Sequence, residues 1–303
     1  MLEVTLLGTG GMMPLKNRAL ASAIVRHQGA CVLLDCGEGT QVRIHDCGYS
    51  FKSIDAILLT HFHADHVSGL PGLLLSMSNQ GRTEKVLIAG PTGVKTVVNA
   101  LRIIAPRLPF EIEYIEIDLS APEGFALAGL EIAPFALEHG VDCVGYRIHL
   151  PRAGRFLPER ARAAGVPLRL WSALQRQPAV EMDGRVFTRE MVMTPPRRGI
   201  TVVYATDTRP VPAIAAAGRD AELMILEGMY GAPEKESRAR EVGHMMIGEA
   251  AQLAASARAR RLWLTHFSPA MPEPEAFMES ARAIFPAAEA GTDGLSARLR
   301  FED

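Results

Sequence analysis

The chain of 303 residues has only four cysteines, Cys31, Cys36, Cys47 and Cys143, and no two of them form a CxxC pair. That spacing argues against a thiolate zinc site and a secreted disulfide framework, leaving buried, reduced thiols as the expectation. No apolar run reaches about 18 residues, so no membrane-spanning helix is expected. The opening MLEVTLLGTGG has no basic stretch ahead of a long apolar one, so no signal peptide is read there and a cytoplasmic protein is expected. Low-complexity linkers and repeats of fixed period are also missing. Net charge is only −2 and by itself gives no affinity for nucleic acid. Hydrophobic residues, at 48%, suffice for one large domain or two ordinary ones to bury a core without disulfides.

What is present is a succession of short aliphatic runs ending in polar residues. EVTLLG, SAIVRH, ACVLLDCG, AILLTH and KVLIAGP fill the first half; GLEIAPFAL, VGYRIHL, GITVVYATD, ELMILEG and RLWLTHFS follow in the second. Helical patterns lie between some of them, most clearly VKTVVNALRII and the alanine-rich HMMIGEAAQLAASARAR. Strands interleaved with helices indicate a layered α/β protein.

Residues 151–198 break the theme. Prolines stand at 151, 158, 167, 178, 195 and 196, and ten arginines face four acids, giving +6 where the rest of the chain carries −8. Such a segment reads as a surface arm rather than a continuation of the sheet. Its arginines, among them Arg152, Arg155, Arg160, Arg162, Arg169 and Arg176, fit either a polyanion contact or a solvated face of an Arg-rich composition.

The densest chemistry lies in LLTHFHADHVSGL, residues 58–70, where His61, His63, Asp65 and His66 follow an apolar run from Ile54 to Thr60 that reads as a buried strand. Titratable groups crowded at a strand end need a partner to offset their desolvation, and neutral imidazoles with carboxylates suit zinc. His61 and His63 can turn toward one point, and Asp65 and His66 can address a second. His139 in FALEHGVDC, Asp207 in VVYATDTRP and His266 in LWLTHFSP each follow a strand-like run in the same way. Strands delivering polar residues to one sheet edge is the usual ligand-binding arrangement of open α/β sheets. Two metals sharing a hydroxide and a bridging carboxylate would make a hydrolase, with phosphodiesters a natural substrate.

These residues resemble the metallo-β-lactamase superfamily, whose pattern is HxHxDH with later His, Asp and His. LLGTGGMMP (6–14), LLDCGEGTQ (33–41), THFHADHVSGLPGLL (60–74), NQGRTE (79–84), AGPTG (89–93), EHGVDCVGYRI (138–148), DTRP (207–210) and TDG (292–294) are similar to blocks of its ribonuclease Z branch, in order along nearly the whole chain. The resemblance implies a four-layer αββα sandwich over residues 1–303 with an inserted basic arm at 151–198. It implies two zinc ions per subunit: His61, His63 and His139 on one, Asp65, His66 and His266 on the other, Asp207 bridging, and Asp65 orienting the attacking hydroxide. Glu227 in LEGM (226–229) and His244 in GHMM (243–246) would assist the leaving group, although their neighbours depart from the family's His-Glu-Ala-Thr and His-Ser-Thr stretches. The arm would grip precursor tRNA, and its VPLRLWSALQ (166–175) lacks the family's Gly-Pro motif. A homodimer, with one subunit's arm serving the other's active site, is implied as well.

The expected activity is a zinc-dependent endoribonuclease that removes the 3′ trailer of precursor tRNA and leaves a 3′ hydroxyl. The alternative is a related dizinc hydrolase acting on another phosphodiester or a small ester. Manganese suits the same donors. A non-catalytic RNA-binding protein on the same fold would be expected to have lost ligands, and here all seven are present.

Overall fold

The computed structural model describes residues 1–302. Its strands are β1 (Leu2–Gly8), β2 (Ser22–His27), β3 (Ala30–Leu34), β4 (Ile54–Leu58), β5 (Val86–Pro91), β6 (Ile112–Ile117), β7 (Phe125–Leu127) and β8 (Leu130–Leu137). They continue as β9 (Cys143–Arg152), β10 (Ala179–Met182), β11 (Arg185–Thr188), β12 (Arg197–Ala205), β13 (Leu223–Glu227), β14 (Leu262–Thr265), β15 (Ala288–Ala290) and β16 (Ser296–Leu299). Two seven-stranded sheets form, in the orders β16-β1-β2-β3-β4-β5-β6 and β15-β14-β13-β12-β9-β8-β7. Pairing is mixed in both: β3, β4 and β5 run parallel, as do β12, β13, β14 and β15, while β1 with β2 and β8 with β9 are antiparallel.

The aliphatic runs are continuous rather than alternating because the central strands are covered on both faces. Leu33, Ile57 and Ile88 join one apolar cluster with Leu70, Leu73, Leu74 and Met77 of the helix Leu70–Asn79 and with Val94 and Val98 of the helix Val94–Leu101. Their neighbours Val32, Leu34, Ala56, Leu58 and Ala89 point the opposite way and are equally buried. In the second sheet Val203, Met224, Leu226 and Leu264 meet Ile247, Ala250, Ala251 and Ala254 of the helix Ile247–Ala257. Val202, Tyr204, Ile225 and Trp263 on the other face are fully enclosed. Hydrogen bonds from Tyr146 to the Leu59 carbonyl at 2.7 Å and from Tyr204 to Asp35 at 3.2 Å tie one sheet to the other. Helix, sheet, sheet and helix thus make the four-layer metallo-β-lactamase sandwich. At about 1.5–3 kcal/mol per buried aliphatic side chain, this packing holds strand ends firmly enough to carry a site.

Residues 1–149 and 200–300 form this unit, and Leu150–Gly199 with Phe301 and Glu302 form a second compact one. The second has helices at Pro158–Ala163 and Trp171–Arg176, and β10 and β11 pair as a hairpin. Its small core gathers Ala161, Val166, Leu170, Leu174, Phe187, Val192 and Met193. Among the described residues, no helix is long and apolar enough to cross a membrane.

Candidate metal centre

Strands of both sheets deliver their carboxyl ends to one edge. His61 lies three residues past β4 and His139 two past β8; Asp207 lies two past β12 and His266 one past β14, while Glu227 closes β13. The chain turns sharply there: Asp35, Asp207 and His266 all have left-handed backbones, with φ of 57°, 55° and 55°. Non-glycine residues adopt that region at some cost, and such strain collects at functional sites. At Gly11 even a methyl group would meet the His266 ring at 2.7 Å, so the glycine gives the ring its space.

The seven residues read from the sequence are brought together in two groups. One donor atom from each of His61, His63, His139 and Asp207 lies within 4.8 Å of the others, and the same holds for Asp65, His66 and His266. A tetrahedral ion bonded at about 2.0–2.1 Å needs donors roughly 3.3 Å apart. In the second group His66 Nε2 and His266 Nε2 are 3.3 Å apart, and they lie 3.6 and 3.5 Å from Asp65 Oδ2. In the first, His63 Nδ1 stands 2.9 Å from His61 Nε2 and 3.4 Å from His139 Nε2. Asp207 faces both: Oδ1 is 3.3 and 3.2 Å from His66 and His266, while Oδ2 is 3.8 and 3.9 Å from His61 and His139.

Electrostatics suit a cation. Burial pushes the His61 imidazole down to about 2, with the neighbouring His66 adding to it, so the ring is neutral and has a lone pair to give. Burial alone would raise the Asp207 carboxyl, but the His266 and His66 rings hold it well below the usual carboxylate range. Asp207 Oδ1 is buried with no hydrogen-bond donor, an arrangement costly to a protein unless something else satisfies the atom. The residues present therefore fit a divalent metal.

The surrounding shell contains groups that the sequence reading passed over. Asp35 is fully buried and accepts from His66 Nδ1 at 2.9 Å, the Thr60 amide at 2.8 Å and the Thr60 hydroxyl at 3.0 Å. Thr60 Oγ1 also lies 3.0 Å from His61 Nδ1, so Asp35 orders a histidine of each group. Outer carboxylates of this kind set the tautomer and aim of ligating rings. The signal was available, since Asp35 follows the apolar run ACVLL just as His61 follows AILLT.

Glu227 and His244 are also placed together. His244 Nδ1 donates to Glu227 Oε2 at 2.9 Å, and Glu227 takes the Thr208 amide on its other oxygen. Burial would lower the His244 ring, yet the Glu227 charge and hydrogen bond raise it to about 9. Its ring stacks on that of His266 with centroids 5.5 Å apart, beside the second group. Asp65 Oδ2 receives the Met12 amide at 2.8 Å.

The arm arginines are divided by their partners. Arg152 lies over the Phe301 ring at 4.9 Å, Arg160 donates to the Met193 carbonyl at 3.3 Å and Arg162 packs over Trp171 at 5.7 Å. Arg169 faces Asp183 at 3.7 Å. Arg155 and Arg176 are exposed, as are Arg160, Arg162 and Arg169 despite these contacts.

Comparison with known proteins gives the family and the fold. Residues 2–102 match the family model of the anti-Pycsar protein Apyc1, and residues 160–267 match the beta-lactamase superfamily domain. A ribonuclease Z of Lachnoclostridium phytofermentans is 50% identical over 302 residues, covering 100% of this chain and 99% of that protein. Those of Agathobacter rectalis (48% identical, 100% of both) and Lachnospira eligens (46%, 100% and 99%) are similar over 303 residues. Among solved structures, the short form of human tRNase Z superposes with a TM-score of 0.70 at 22% identity, covering 99% of this chain and 100% of that one. The metallo-beta-lactamase fold protein YhfI of Bacillus subtilis also reaches 0.70, at 19% identity and 98% coverage of both. The chain belongs to the ribonuclease Z family of hydrolytic endoribonucleases, built on the metallo-β-lactamase fold.

Proposed function

We propose that the protein removes the 3′ trailer of precursor tRNA, using two zinc ions held by His61, His63 and His139 and by Asp65, His66 and His266, with Asp207 between them. The observation that carries this reading is the Asp207 carboxylate, whose two oxygens each face a different histidine pair. Bound there, two divalent cations would lower the pKa of a water to roughly 7 and neutralise charge on the phosphoryl oxygens. Asp65, held by the Met12 amide, orients the attacking water and takes its proton. His244, steadied by its hydrogen bond to Glu227, gives its proton to the departing 3′ oxygen. The phosphorus–oxygen bond breaks on that side, so the tRNA keeps a 3′ hydroxyl and the trailer keeps the phosphate. The arm binds the body of the tRNA through sequence-independent phosphate contacts, with Arg155, Arg162, Arg169 and Arg176 as its contact residues. By the same resemblance the protein acts as a homodimer.

A second reading, the same centre acting on another phosphodiester or a small ester, is favoured by LEGM and GHMM, where the residues beside Glu227 and His244 depart from the family pattern. The two are separated by assaying a 3′-extended tRNA precursor and a chromogenic phosphodiester with the zinc-loaded protein. A single cut beside the discriminator base is expected, lost when the four arm arginines are changed to alanine while ester hydrolysis survives. Turnover of the ester alone by the unaltered protein would sink the tRNA reading.

A further inference from the structure

The acid role of His244 needs more than a partner for its ring, because a loop residue swings unless its backbone is held too. The His244 amide donates to the Ala239 carbonyl at 2.9 Å, and Arg209 holds the carbonyl side of the residue. Arg209 lies two residues past Asp207, and one Nη donates to the His244 carbonyl. The same guanidinium forks onto Glu249, Nη1 to Oε2 at 2.9 Å and Nη2 to Oε1 at 2.5 Å. Glu249 in turn accepts the Met246 amide at 2.9 Å, at the start of the helix Ile247–Ala257. Both side chains are largely enclosed, at 11% and 19% exposure, where a bidentate pair keeps its strength. The Asp207 loop thus reaches His244 twice: Thr208 donates to Glu227, which holds the ring, and Arg209 holds the carbonyl.

We propose that the Arg209–Glu249 pair is a positioning clamp for His244 in RNA cleavage, fixing the loop 243–246 against the segment that bears Asp207. The inference rests on the proposed role of His244 as the proton donor. Arg209 touches no reacting atom; it acts through His244. The loop also anchors His139, whose Nδ1 donates to the Gly243 carbonyl at 3.1 Å, so metal content must be followed beside activity.

The test compares Arg209→Met, His244→Ala and the double variant on two substrates. One is a 3′-extended tRNA precursor, whose sugar oxygen leaves poorly without a proton. The other is bis(p-nitrophenyl) phosphate, whose phenolate leaves without one. Arg209→Met is expected to slow turnover of the precursor roughly 10- to 100-fold, to slow the ester far less, and to keep its zinc. Added to His244→Ala, it should cost less than about twofold more on the precursor, because the two changes disable one device. Glu249→Gln keeps an acceptor for the Met246 amide and gives the same pattern should Arg209→Met fold poorly. Equal losses on both substrates with zinc lost would make the clamp a support for His139 and overturn the proposal. Additive losses in the double variant would overturn it while leaving His244 as the acid. Unimpaired RNA cleavage by His244→Ala would remove the acid role and the clamp together.

Discussion

Asp35 takes hydrogen bonds from four donors at once: the Thr60 amide and hydroxyl, the His66 ring and the Tyr204 hydroxyl. Changing it to asparagine keeps the shape but turns an amide NH2 toward groups that are themselves donors. The expected result is a loss of roughly 10- to 100-fold in zinc affinity, measured by competition with a coloured chelator. Undiminished affinity would show that His66 finds its aim without Asp35. At this scale the sequence was legible wherever chemistry and context agreed. His61, His63, Asp65 and His66 crowd six residues at a strand end, His139, Asp207 and His266 share that setting, and the structure gathers all seven in two groups. Asp35 shared the strand-end setting too, but a lone aspartate after a strand reads as a turn residue. The left-handed backbones that aim Asp35, Asp207 and His266 leave no mark in composition at all.

Elements were legible where burial was complete. Each of the ten aliphatic runs in the sequence holds a strand; the central ones are apolar throughout because they are enclosed on both faces, whereas β8 buries only Leu130, Ile132 and Pro134. Strand β6, IEYIEI, is interrupted by the exposed Glu113 and Glu116 and buries only Ile117 fully, so no apolar run announces it. The hairpin of β10 and β11 lay in the segment read as irregular, although Asp183-Gly184, with φ of 53° and 75°, is a strong two-residue turn signal between AVEM and RVFT. Its short, mostly exposed strands hid that signal. The helix Ile247–Ala257 shows what small residues do for a layer. Ala250, Ala251 and Ala254 are wholly buried against the second sheet, leaving no room for a larger side chain. Ala254→Leu is therefore expected to destabilise the protein by about 1–3 kcal/mol in urea unfolding. A stability unchanged within about 0.5 kcal/mol would mean that the helix–sheet gap yields.

At the scale of the molecule, the metal centre and the cores are separate sources of order. The apolar clusters that flank the two sheets contain none of the seven candidate metal ligands, being built from aliphatic and aromatic side chains with a few methionines and cysteines. Removing the metals with a chelator should abolish RNA cleavage yet leave the far-ultraviolet circular dichroism in place, and zinc should restore activity. Collapse of the secondary structure on chelation would contradict that separation.

The uneven charge, +6 in residues 151–198 against −8 elsewhere, was legible from counting alone and gives the arm its proposed task. What counting cannot say is whose active site the arm serves, because a chain on its own carries no record of its neighbours. If the arm serves the partner's site in a homodimer, two defective variants should complement each other. One would carry alanine at Arg155, Arg162, Arg169 and Arg176; the other would carry Asp65→Ala. Unfolded together and refolded as a mixture, half of the dimers would pair an intact arm with an intact site on the opposite subunit. Cleavage of the tRNA precursor should then return to about a quarter of the unaltered level, although each variant alone is inactive. If the mixture stays inactive while native mass spectrometry shows mixed dimers, each arm serves the site on its own chain.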